Sequence, residues 1–200
     1  VFTKQNPVPE SVALIHCIGS RDEHYNKYCS RLCCAYSLKL AHLVKEKLPE
    51  TEVYEYFIDM RAYGKDYEEF YQRIANEGVH IIRGKTATVE EAGDKLKLRS
   101  EDILKNTVVE QEVDMVVLAI GLEPAANADA LSEMLGIQQD CNGWFTEANF
   151  LSEPSSTHNP GIHLAGVCEG PKDIPDTVAQ ASSAAARVLL SIETHAEVMA

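Results

Sequence analysis

No run of apolar residues in this chain approaches the roughly 20 needed to span a bilayer, and the amino terminus, VFTKQNPVPE, has no apolar signal core. A cytoplasmic chain with no direct membrane insertion is expected. Positive charge is scarce: 18 Lys and Arg stand against 31 Asp and Glu, a formal charge of −13. That balance argues against nucleic acid or an anionic membrane surface as a partner. No GxGxxG occurs anywhere, so the glycine loop that lets backbone amides approach a pyrophosphate is missing. There is no internal repeat and no low-complexity segment. No initiator methionine opens the chain, which reads as a piece of something longer.

What is present in excess is cysteine in one place. Cys17, Cys29, Cys33 and Cys34 lie in CIGSRDEHYNKYCSRLCC, after the strand-like run Ser11 to His16, where an α/β nucleotide-binding unit turns from its first strand into its first helix. Thiolates are soft donors suited to iron–sulfur clusters and zinc, and four make a complete set for a [4Fe–4S] cube. The spacing C-x11-C-x3-C-C matches neither the ferredoxin run nor paired zinc knuckles. Adjacent Cys33 and Cys34 suit a disulfide poorly. From the residues alone, metal ligation, redox thiols and simple packing all stay open, although Ser20, Arg21, Asp22, His24, Asn26, Lys27, Ser30 and Arg31 make the loop a polar setting for inert cysteines. Arg21, Lys27 and Arg31 would favour thiolates. His16 and His24 could tune a cluster by hydrogen bonding, with packing and solvent exposure as the plainer readings. Cys141 and Cys168 stand apart and read as structural.

With 45% hydrophobic and 24% charged residues the chain reads as globular. Residues 11–18 form a strand-length apolar run. Residues 35–48 place Leu38, Ala41, Val44 and Leu48 on one helical face, closed by Pro49. EVYEYFIDM, 52–60, is a second strand, 66–77 a helix ended by Gly78, and 79–82 the next strand. Residues 85–113 alternate as a β-meander, and 114–120 form another buried strand. GIHLAG, 161–166, reads as a short strand, followed by a small-residue helix from Pro175 to about Leu190. This series is the plan of the pyridine-nucleotide domain in two-dinucleotide flavoproteins. We expect an α/β, Rossmann-like three-layer FAD/NAD(P)-binding fold with a β-meander over residues 1–124. Residues 125–200 are expected to be the C-terminal part of an FAD-binding domain.

CIGSRD with YCSRLCC, the strand end VVLAIGLEP, and GIHLAGVCEGPKDIPDTVAQASSAAA together resemble the A subunit of heterodisulfide reductase and its relatives. These include the A subunit of the quinone-interacting membrane-bound oxidoreductase. The resemblance covers nearly the whole chain. It implies a thioredoxin-reductase-like flavoprotein with FAD and iron–sulfur clusters that passes electrons between partner subunits of a complex; a homodimer is left open. It further implies a [4Fe–4S] cluster on Cys17, Cys29, Cys33 and Cys34. A helix starting near Asp173 presents unpaired N–H groups and a positive dipole end; the resemblance aims it at a flavin. Gly166, Gly170, Asp173 and Ile174 then become flavin contacts, with Thr177 and Gln180 beside them. For Thr177 and Gln180 the plainer reading is a capping box.

Two departures matter. Val167 follows Gly166 where related flavoproteins carry an acidic residue, a role left to Asp173 or Glu169. The adenosine and pyrophosphate half of an FAD site is absent, so FAD is expected in the longer protein rather than in this chain alone. Asp59, in the position of a ribose-binding acid, lacks a glycine loop and reads as structural, near Arg61; the fold is expected to have lost NAD(P) binding. Two rival functions are a flavin-dependent thiol-disulfide reductase using a cysteine pair, and a zinc-stabilised docking scaffold.

Overall fold

In a computed structural model the described residues are 8–198, with side chains described as far as 193. The chain divides into two compact units, Val1–Gly121 and Leu122–Ala200.

Among the described residues, seven strands and two helices build the first unit. Strand β1 (Ser11–Ile18) leads to α1 (Cys33–Lys47), β2 (Glu52–Phe57), α2 (Tyr67–Asn76) and β3 (Val79–Arg83). Strands β4 (Thr86–Ala92), β5 (Lys95–Asp102) and β6 (Thr107–Val113) form the antiparallel meander, and β7 (Met115–Ile120) returns to the parallel sheet. That sheet has the order β3-β2-β1-β7, with β1 pairing in parallel to both β2 and β7. A parallel sheet must be covered on both faces. Val12, Leu14, Leu38, Ala41, Val53 and Ile74 fill one face, under α1 and α2. Ala13, Ile15, Tyr56, Leu98 and Val113 fill the other, against the meander. The period-two alternation of β1 and β2 therefore divides their side chains between two cores.

The second unit holds α3 (Ala128–Leu135), a single 3-10 turn at Gly166–Glu169 and the long helix α4 (Ile174–Val198). Residues 161–166 are not a strand. Gly161 and Gly166 both have positive φ, +84° and +79°, and the segment makes one isolated bridge, Ser156 to His163. Helix α4 runs past Leu190 because nothing in SIETHAEV breaks a helix. No helix among the described residues is long and apolar enough to cross a membrane.

Candidate metal centre and helix terminus

The cysteine segment is built on a break in β1. The β1–β7 register shifts between Ile15 and Ile18, and Cys17 has φ +60°, a region costly for a residue with a Cβ. The Ser20 N–H then closes a turn onto the Cys17 carbonyl at 3.1 Å. Residues 20–28 fold back on themselves through Arg21 N–H to Tyr28 O and Asp22 N–H to Asn26 O, at 3.0 and 3.1 Å. This brings the chain round to Cys29 and into α1.

Cys33 and Cys34 do not lie in the loop expected from the sequence. They open α1, whose preceding residue Leu32 gives no side-chain cap. Polar caps normally occupy helix starts; here the first turn carries two buried thiols, packed with Cys17, Ala119 and Met60. A thiolate is favoured at the positive end of a helix dipole, so a position that lacks a cap is chemically apt for a sulfur ligand.

All six cysteines are free of disulfides. Cys17 and Cys34 both hydrogen-bond to Cys33, whose thiol is pulled down chiefly by those two contacts, while Cys17 and Cys34 are pushed up by the same contacts and by burial. Cys29 acts on Cys17 electrostatically and accepts the Arg31 N–H at 3.3 Å. Cys34 Sγ accepts the Arg61 N–H at 3.3 Å. Burial, with the neighbouring sulfurs, raises the Tyr36 phenol to about 12. A ring nitrogen of His16 and the sulfurs of Cys33 and Cys34 lie within 4.8 Å of one another. Sequence reasoning gave His16 only packing or tuning. Arg21 and Arg83 hold Asp59, at 2.7 and 2.8 Å, instead of the expected Arg61. Alongside lies a cavity of about 390 Å³ whose walls include His16, Cys17, Gly19, Tyr56 and Lys85, at the carboxyl end of the sheet where α/β folds take ligands.

At the α4 terminus Asp173 is the N-cap: its Oδ1 accepts the Asp176 N–H at 2.8 Å and its carbonyl the Thr177 N–H at 3.0 Å. Thr177 and Gln180 therefore sit within the helix, and a capping box between them is overturned. Gln180 Oε1 accepts the Gly166 N–H at 2.8 Å and Lys172 Nζ at 2.6 Å. Glu169 takes Lys172 at 2.6 Å and the Gln180 amide. This network joins Gly166 to the helix start; Ile174 is exposed, and Gly170 has φ +148°.

No family model matches the chain. Over 185 residues, 91% of its length, it is 50% identical to the A subunit of the H(2):CoB-CoM heterodisulfide,ferredoxin reductase of Methanothermobacter marburgensis, of which it covers 28%. Over 188 residues it is 47% identical to the second iron-sulfur A subunit of the CoB--CoM heterodisulfide reductase of Methanopyrus kandleri, covering 92% of this chain and 29% of that one. Over this stretch the chain belongs with the A subunits of heterodisulfide reductases. It spans under a third of their length. Among solved structures, Lactococcus lactis thioredoxin reductase matches with TM-score 0.57 and 18% identity over 92% of this chain and 54% of that one. The thioredoxin reductase of T. acidophilum matches with TM-score 0.55 and 15% identity, over 94% and 53%. The fold is that of thioredoxin reductases.

Proposed function

We propose that this chain is an oxidoreductase segment that transfers electrons within a multisubunit, heterodisulfide-reductase-like complex. Cys17, Cys29, Cys33 and Cys34 would hold a [4Fe–4S] cluster. Residues 1–124 would be a Rossmann domain that has kept the NAD(P)-binding fold but not the nucleotide, and residues 125–200 the C-terminal portion of an FAD-binding domain.

One observation carries the reading: Cys17, Cys33 and Cys34 pack together as free thiols at the start of α1, with Cys29 in electrostatic range of Cys17. Soft donors in this number fit a cluster, and backbone N–H groups of Arg31 and Arg61 already reach two of the sulfurs. A cluster and a flavin together supply exchange between one- and two-electron steps. The chain's own residues hold the sulfurs, keep them partly buried and offset their charge with Arg21. Gly166, Gly170, Asp173, Ile174, Thr177 and Gln180 would flank FAD in the longer protein, with the α4 dipole favouring negative charge on the flavin. The Arg21 and Arg83 clasp on Asp59 supports loss of nucleotide binding, because that acid is no longer open to a ribose. The partners, following the relatives' names, would be the other subunits of such a complex.

Protein purified without oxygen should contain about four irons and four sulfides per chain, with loss of both in Cys33→Ser. A zinc scaffold is the second reading, favoured by the compact His16, Cys33 and Cys34 group. One zinc and no iron would establish it; a reversible disulfide among the four cysteines would point instead to thiol-disulfide exchange.

A further inference from the structure

Glu55 is a carboxyl in the middle of a parallel sheet, on the face of β2 that carries Val53 and Phe57. Its side chain and that of His16 are both fully buried, and His16 Nε2 lies 2.7 Å from Glu55 Oε1. Two ionisable groups withdrawn from water in this way cost stability that a pair of leucines would not. Structural need alone is therefore a poor explanation for them. The pair is also incomplete, since His16 Nδ1 and Glu55 Oε2 have no hydrogen-bond partner. A buried polar atom left unsatisfied calls for a partner. With Nε2 taken by Glu55, Nδ1 is the nitrogen available to the nearby sulfurs, which lie within 4.8 Å of a ring nitrogen.

We propose that His16 is a positioning residue of the cysteine centre: anchored by Glu55, its ring donates an N–H hydrogen bond from Nδ1 to sulfur at Cys33 or Cys34 and raises the potential of the centre. The inference rests on the reading of the four cysteines as cluster ligands. Four thiolates supply one ligand per iron, so a fifth donor is surplus and a hydrogen bond is the contact left to the histidine. Such bonds withdraw negative charge from cluster sulfur and favour the reduced state. A carboxylate behind a histidine that faces a metal site fixes the ring's orientation.

The test is pulsed electron paramagnetic resonance on reduced, anaerobically purified protein carrying 15N-histidine, with a redox titration of the same samples. A weak coupling to one histidine nitrogen is expected. It should vanish in the double variant His16→Leu with Glu55→Leu, and the midpoint potential should become more negative. Both residues are replaced because removing either alone strands its buried partner; a thermal melt at or above the parent's shows that the fold is intact. His16→Gln, which keeps an N–H donor, should recover part of the potential and serves if the double variant melts early. A parent with four irons and no nitrogen coupling, or an unchanged potential in the folded double variant, overturns the proposal. A strong coupling typical of an iron–nitrogen bond also overturns it, by making His16 a ligand. A parent without iron sinks the cluster reading and this inference with it.

Discussion

Asp59 sits just past the end of β2, where Rossmann folds often place an acid for a ribose, and two guanidiniums close on it. Arg21 first, then Arg83, holds its carboxyl below the usual carboxylate range. A carboxyl depressed in the folded state stabilises above its unfolded pKa, about 3.9, and loses that contribution as pH falls through the folded value. Asp59→Asn should therefore lower the urea midpoint at pH 7 and converge with the parent once the pH has fallen below the depressed folded value. A gap that stays constant with pH would assign the loss to packing instead. The contrast with His16 and Glu55 shows what a sequence reveals at this scale. The four cysteines could be singled out because thiols gathered within 18 residues stand out by residue type. The buried pair depends on register: Leu14 aligns with Glu55 across β1 and β2, which puts residues 39 positions apart in contact. A signal was available all the same, because an acid between Val53 and Phe57 on the inward face of an apolar strand needs a partner.

At the level of elements, periodicity located the strands and helices well where the pattern was long. The meander and the β1–α1–β2 unit follow directly from alternation and helical spacing. It failed at ends set by tertiary contacts. Helix α1 begins at Cys33 instead of Ala35, its first turn packed against Cys17 and Ala119, and residues 161–166 make one isolated bridge among the described residues instead of a strand. Gly84 is such a tertiary position, invisible to local pattern. It links β3 to the meander, its N–H donates to Phe57 O at 2.8 Å, and a Cβ there would stand 1.7 Å from the Glu101 carbonyl oxygen. Backbone cannot yield as a side-chain tip does, so Gly84→Ala should cost about 3 kcal/mol, the upper range for overpacking. Gly93→Ala, at φ +66° with open space around it, should cost about 1 kcal/mol through backbone strain alone. Equal costs in denaturant melts would show that the join between β3 and the meander is soft.

For the whole molecule, the residues proposed for iron and those proposed for flavin lie in different units, on either side of Gly121. All four cysteines of the first set, with His16 and Glu55, belong to Val1–Gly121. The second set is half of a site at most, since no glycine-rich phosphate loop occurs in the chain and a helix terminus alone supplies a small part of dinucleotide affinity. The two cofactors should therefore separate experimentally. Reconstituted without oxygen, this chain should take up iron and sulfide yet retain no stoichiometric FAD, read as iron content against absorbance near 450 nm after gel filtration. In a longer protein that includes a glycine-rich nucleotide motif, Gln180→Ala should lower flavin retention severalfold, because it releases the Gly166 N–H and Lys172 from the helix start, while iron content stays at the parent value. Cys33→Ser should do the reverse. If either substitution removes both cofactors, the two sites stabilise each other, and the independence argued from the two units fails.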